Sequence, residues 1–420
     1  MLLTDEDIEK LTKGIEHRLT IDGKTKSHQS YCVPIDELYF NDLNGRIATY
    51  IEEYNNNEGL TVNLKDLIDQ GEYKRYNDII ADFIKKSAND GGTSFKKTKN
   101  DIETNGQKIP GVILRNGRII DGNRRFTCLR ELYEETGNTK FAYFECVILD
   151  VPKTKEQERS IKLLELNIQF NVDDKRDYDR IDYLVSFYKD TMDPTSENVV
   201  DKKTYCHASG LKGPEYDKNK RIVETMIDYL EWRGKPRSFY ILKNEKLDGP
   251  IEEIANKTKK WTDNEWNERK TTIYTYITLK RDGDRTRDIR DILNSANSCG
   301  NLYNQMKTKI EQPDFIRELP GALTALDTKS ASAEETRSKT ELLDKIKSTL
   351  AETYNQGHIA ECEQKNTEDT KKTLDNVITS LKKINQIQIS NFSDDEKREV
   401  LILINEAKYV LNRLEGICSK

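Results

Sequence analysis

The run Asp121-Gly122-Asn123-Arg124-Arg125 is where residue types and spacing in this chain could do chemistry. A strand that stops at a glycine and feeds a helix presents free backbone N–H groups at the helix N-terminus, where the dipole also favours an anion. Gly122 would let a phosphate approach the backbone closely. Arg124 and Arg125 add forked donors that bind phosphate oxygens in pairs. Asp121 could order the turn, cap the helix or hold a metal-bound water. The bland alternative is an ordinary Asp-Gly turn with solvated first-turn arginines, and a short match of this kind is weak by itself.

The flanking elements give the turn a context. Val112–Arg115 and Arg118–Ile120 surround Asn116-Gly117, which predicts a hairpin with a two-residue turn. A helix from Phe95 to Thr104, capped by Ser94 and stopped by Asn105-Gly106, precedes it. The helix Arg124–Tyr133 follows at once, with Phe126, Leu129 and Leu132 on one face, and Phe141–Leu149 reads as a further strand. Upstream, Tyr31–Leu38 reads as a short strand and turn ending near Asn44-Gly45-Arg46. Residues 47–93 carry helix-period patches such as Ile79, Ile80, Phe83 and Ile84, as in a helical insertion closed by a loop, Ala88–Ser94. Residues 1–29 read as a polar leader.

Past Val151-Pro152 the pattern turns helical, with helices expected over Lys155–Gln169, Asp177–Lys189, Lys202–Ser209 and Lys218–Trp232. Thr271–Thr278 alternates Ile and Tyr with Thr, which suggests a strand within an otherwise helical 241–330 region. Trp232, Trp261 and Trp266 read as a packing cluster. Ser330–Ser338 has linker composition. In residues 339–420, Asp375–Ile387 and Asp394–Ile417 form two amphipathic helices, either a self-contained hairpin or an arm for self-association or for a protein partner. The fold class is therefore an α+β N-terminal domain, a small mixed sheet with helices over residues 30–150, followed by mainly α-helical domains over 151–240 and beyond.

At 420 residues the chain exceeds one ordinary core, and 34% charged against 35% hydrophobic residues implies small domains with wide solvated faces. The net charge of -6 disfavours a protein that coats nucleic acid uniformly. Residues 201–290 nevertheless hold 21 Lys and Arg against 16 Asp and Glu, a local basic excess. Seven scattered cysteines without a C-x-x-C pair, and four distant histidines, argue against zinc or a histidine triad and for reduced thiols in a cytoplasmic setting. Met1–Asp7 turns acidic before any apolar segment, and no run approaches the ~18 apolar residues of a membrane span, so no membrane association is expected.

The segment Lys97–Leu132, KTKNDIETNGQKIPGVILRNGRIIDGNRRFTCLREL, resembles the N-terminal domain of the ParB family within the ParB/sulfiredoxin-like superfamily. There a helix, an Asn-Gly turn, a Pro-started strand and a Gly-x-Arg-Arg helix occur in this order. Val33–Leu38 with Asn44-Gly45-Arg46 is similar to that family's opening strand and loop, and Asn167-Ile168-Gln169 to its second nucleotide motif, Glu-Asn-(Ile/Leu)-Gln-Arg. The resemblance implies binding of CTP or another nucleoside triphosphate, with Mg2+, by Asp121, Gly122, Asn123, Arg124, Arg125 and Asn167. Leu166 and Phe170 stand where that motif has glutamate and arginine, which puts metal-assisted hydrolysis in doubt. Asn123 stands where sulfiredoxin has its reactive cysteine, and Cys128 reads as a packed thiol.

The resemblance also implies a DNA-binding helix-turn-helix after the nucleotide domain. Lys202–Leu211 followed by Lys218–Met226 fits one, with Lys202 and Lys203 on the first helix and Lys218, Asn219, Lys220 and Arg221 opening the recognition helix after a long turn, Lys212–Tyr216. A plain helical hairpin with a basic end fits equally. The leading expectation is a ParB-like DNA-binding protein acting in plasmid or chromosome partition or as a mobile-element regulator. An enzyme of the same fold, a nucleotide triphosphatase or other nucleotide hydrolase, a kinase or a nuclease, would need a metal-bearing carboxylate near the arginines, from Asp121, Asp36, Glu37 or Glu165. A third alternative is a scaffold with a vestigial pocket.

Overall fold

The computed structural model describes residues 2–21, 23–56, 62–87, 92–171, 179–196, 199–280, 284–327, 333–384 and 389–418. The chain divides into two compact units, Met1–Thr353 and Tyr354–Lys420.

In the first unit, α1 (Asp5–Glu9) leads into β1 (Thr12–Ile21) and β2 (Lys24–Pro34), then α2 (Ala48–Asn55), α3 (Leu64–Asp69), α4 (Tyr73–Lys86) and α5 (Thr93–Asn105). β3 (Gly111–Leu114), β4 (Ile119–Asp121), α6 (Asn123–Thr136) and β5 (Tyr143–Leu149) complete a mixed five-stranded sheet of order β1-β2-β5-β3-β4. Only β3 and β5 run parallel. Strand alternation splits the core into two faces. Ile113, Ile119, Phe144 and Cys146 face a large cluster with α4, α5 and α6, through Ile80, Phe95, Phe126 and Leu129. Val112, Leu114, Ile120 and Val147 face a smaller one. Leu164 of α7 (Lys155–Asn171) closes that second face, so the helix carrying Asn167 lies against the sheet.

Several expectations are corrected here. Much of the supposed leader is the β1–β2 hairpin, whose residues pair His17 with His28 and Thr20 with Thr25. Glu145 of β5 anchors it, accepting from the Ile15 N–H at 2.8 Å and the Ser30 hydroxyl at 2.6 Å. The β3–β4 turn is one residue longer than expected. A two-residue type I′ turn needs positive φ at both Asn116 and Gly117, but only Gly117 (φ 86) has it, and the Gly117 N–H donates to Leu114 O. α5 begins at Thr93 with Gly92, φ 84, as its N-cap in place of Ser94.

The helical part continues with α8 (Arg180–Thr191), α9 (Lys202–Ser209), α10 (Gly213–Trp232), α11 (Tyr240–Asn244), α12 (Asp248–Lys257), α13 (Asp263–Leu279), α14 (Arg285–Asn297), α15 (Asn301–Ile310) and α16 (Pro313–Asp327). Thr271–Thr278 is helical, inside α13. Its residues from Thr272 to Leu279 are buried on every side, which removes the amphipathic period and leaves only a β-rich composition to read. The tryptophans do cluster, with Trp232 and Trp266 packing on Tyr274 and Trp261 on Trp266.

α17 (Ala333–Lys382) is a single helix of 50 residues. It begins inside the expected linker, whose residues 330–332 lie outside the described set, and it absorbs the helix expected from Asp375, of which residues 385–387 lie outside. In the second unit α18 (Asp394–Cys418) follows, opened by Ser393 and Glu396 in a reciprocal capping box. Among the described residues no helix is long and apolar enough to cross a membrane.

The helical insertion is joined to the later helices by buried polar contacts. Asp182 of α8 accepts from the Thr49 hydroxyl and from Lys243, each at 2.5 Å. Beside them Glu52 accepts from the Phe239 N–H at 3.1 Å. Burial pushes the Glu52 carboxyl from 4.5 up to about 7, against the pull of Lys189. A carboxyl that holds its proton more tightly when folded contributes stability at low pH that is lost as pH rises from about 4.5 to about 7. Glu52→Gln keeps the acceptor and removes the charge. The variant should gain at most about 3 kcal/mol over the parent at pH 8 and almost nothing at pH 4.5. Urea unfolding at both values checks this, and equal differences at the two would refute it.

Candidate functional site

The site is built where β4 ends and α6 begins. Gly122 takes φ 98 and ψ 19 and caps α6 without any side-chain hydrogen bond, so the first-turn amides are not covered by a capping side chain. A Cβ on Gly122 would lie 2.7 Å from Cζ of the buried Phe144 ring. Glycine is therefore required twice, for the left-handed backbone and for the close packing beneath it.

A cleft of about 490 Å³ opens at this turn. Asp121, Gly122, Asn123, Arg124 and Arg125 line one side, and Leu164, Asn167 and Ile168 of α7 line another. All six residues expected to bind nucleotide thus meet in one cavity. The loop Asn44–Arg46 contributes Asn44 and Arg46, and the β1 hairpin contributes His17, Arg18 and Thr20. Among the described residues the lining holds four arginines and one carboxylate, a balance that favours an anion. Burial holds the His17 imidazole below its ordinary range, with Asp121 pulling it up and Arg125 and His28 pushing it down. Asn123 Oδ1 is buried with no hydrogen-bond partner among the described residues, an acceptor awaiting a donor.

The two arginines do different work. Arg125 donates to Ile109 O at 2.7 Å and to Asp121 Oδ2 at 2.9 Å, clamping the segment that leads into β3 to the end of β4. It is a structural strut at the rim of the cleft, which corrects the expectation that both guanidiniums present forks to a ligand. Arg124 lines the cleft beside it.

Of the carboxylates considered for phosphoryl transfer, only Asp121 lines the cleft. Asp36 and Glu37 are exposed in a 3-10 turn, and the Glu37 carbonyl packs by Gly117, at the opposite end of β4. Glu165 is buried, accepts from Asn41 Nδ2 at 3.0 Å and faces Arg118 at 3.8 Å. Burial raises its pKa while Arg118 and Lys162 pull it down. Leu166 is buried, and the Gln169 and Phe170 side chains lie outside the described residues. Among the described residues no cluster of three or more His, Cys, Asp or Glu could hold a metal ion. Cys128 is buried and its thiol is pushed up to about 12 by burial, as fits a packed residue.

The helices α9 and α10 are joined by three residues, because α10 begins at Gly213 with Pro214 in its first turn. The expected long turn is thus replaced by a short one, and Lys218–Arg221 run from the second into the third turn of α10. Asn219 is 5% exposed, donates to Tyr183 at 3.0 Å and accepts from Arg180, so it is a packing residue that cannot reach a base. Lys218 pairs with Glu252 at 2.5 Å and Lys202 with Asp217 at 2.6 Å. Lys220 and Lys203 are exposed, and Arg221 is half-buried.

Comparison with family models, curated proteins and solved structures finds no match to this chain.

Proposed function

We propose that the cleft binds the phosphates of a nucleoside triphosphate, CTP in the first instance, and that the chain is a ParB-like, nucleotide-responsive DNA-binding protein. The observation that carries the reading is the convergence of the uncapped α6 N-terminus, four arginines and Asn167 on one cleft. The amides and Arg124 would take the phosphate oxygens, and Arg125 would hold the turn in shape. Asn123 and Asn167 would meet the sugar or a hydrated Mg2+ ion. Binding is the role proposed, since among the described residues Asp121 is the lone carboxylate lining the cleft, and it is paired to Arg125 at 2.9 Å. The DNA contact is assigned to the α9–α10 hairpin, with Lys203 an exposed cation and the acidic partners of Lys202, Lys218 and Lys220 (Asp217, Glu252 and Glu224) limiting the rest.

Titration calorimetry of the full chain with CTP, other triphosphates and inorganic triphosphate, with and without Mg2+, tests the cleft. Arg124→Ala should weaken binding about tenfold or more. No heat from any triphosphate would overturn the nucleotide reading. Mobility shifts at low salt with and without CTP test the DNA assignment, which fails if no complex forms in either case.

A further inference from the structure

α18 leaves a helical face uncovered. No residue along it is buried, yet Leu403, Val410, Leu414 and Ile417 are 63%, 50%, 41% and 65% exposed. With Val400 and Ala407 these positions recur at alternating intervals of three and four, the seam of a coiled coil over Val400–Ile417. Ile404 and Leu411 widen it on one flank, and Glu406 and Arg413 border it on the other.

We propose that α18 pairs antiparallel with α18 of a second copy of this chain. In that orientation Val400 faces Ile417, Leu403 faces Leu414 and Ala407 faces Val410, each contact occurring twice by symmetry. On one flank Glu406 then lies opposite Arg413 of the second copy, again twice, and on the other Ile404 lies opposite Leu411. A parallel pair would instead set Glu406 against Leu411 and bury no charge pair, so the flanking charges select the antiparallel form.

The same charges argue against the other apolar stripe of the second unit. Leu374, Val377, Leu381 and Ile384 repeat on α17 and the residue just after the turn that ends it, but the matching flank there carries Thr373 and Ser380, which offer Glu406 and Arg413 no partner. The pairing is independent of the nucleotide cleft and of any DNA contact.

Sedimentation of the full chain over a concentration series tests the proposal. Glu406→Arg and Arg413→Glu should each weaken the dimer about tenfold, because each places two like-charge pairs on the seam. The double variant Glu406→Arg/Arg413→Glu should restore it. Circular dichroism of each variant should match the parent. A parent chain monomeric at tens of micromolar overturns the proposal, as do single variants without effect or a double variant that fails to recover. Orientation has its own readout. Antiparallel pairing separates the two Cys418 thiols by about 28 Å along the axis. In a Cys299→Ser/Cys362→Ser background, oxidation should give no Cys418 dimer, and efficient crosslinking would overturn the antiparallel arrangement.

Discussion

Gly122→Ala is expected to destabilise the first unit and to abolish triphosphate binding together. The backbone at this position has φ 98, where an L side chain is strained by about 1–3 kcal/mol. The new methyl would also lie 2.7 Å from Phe144 Cζ and 3.2 Å from Arg125 Nη2. Phe144 is fully buried against Phe126, so its ring has little room to retreat, and overpacking of this kind adds about 1–3 kcal/mol. The two contributions separate experimentally. Gly122→Ala/Phe144→Leu relieves the ring clash and keeps the backbone strain, so, measured against Phe144→Leu alone, the glycine change should cost about half as much stability, with little of the affinity regained. Urea unfolding and calorimetry on the same samples read both. Full recovery of affinity in the double variant would mean that the left-handed turn is dispensable for the ligand.

How far the sequence could be read is instructive at this turn. The order hairpin, glycine, arginine pair, helix was legible because each step has a local cause: a turn dipeptide, a strand of alternating faces and an apolar helical period. Asn167 was reachable only through its place in a resembling motif, since nothing local ties a residue on α7 to a turn more than forty positions earlier. The contribution of His17, Arg18 and Thr20 was missed, although a signal was present. Leu19 and Ile21 alternate with polar residues before Asp22-Gly23, the same kind of dipeptide that revealed the β3–β4 hairpin. The polar outer face of that hairpin masked it as a leader.

Roles were harder to read than positions. Arg124 and Arg125 are neighbours of one type, and only the fold shows that Arg125 is spent on Ile109 O and Asp121. Asn219 looked like a recognition residue for the same reason, until Tyr183 and Arg180, distant in sequence, proved to be its partners. Thr271–Thr278 failed differently: a helix buried on all sides shows no period, so composition alone pointed to a strand.

Lys162→Met should be the most damaging change outside the cleft. Lys162 of α7 pairs with Asp190 of α8, and both are largely withdrawn from solvent, Asp190 at 4%. Burial opposes the charge on Lys162, but Asp190 and Glu165 together outweigh it and hold its pKa above the ordinary value. One turn along, Glu165 reaches Asn41, whose Oδ1 accepts from Arg118 at 2.6 Å. α7 is therefore fixed by charge to the sheet through Glu165 and to α8 through Lys162, and it is this helix that presents Leu164, Asn167 and Ile168 to the cleft. Removing the lysine leaves Asp190 buried without its countercharge, a loss of about 3–5 kcal/mol. Lys162→Met/Asp190→Asn deletes both charges and should return to within about 1 kcal/mol of the parent, because a neutral pair carries little of the desolvation cost. Triphosphate affinity should follow stability in the single variant and recover in the double. A double variant as unstable as the single would show that Lys162 acts through Glu165 instead, and Lys162→Met/Glu165→Gln would then be the pair that restores the helix.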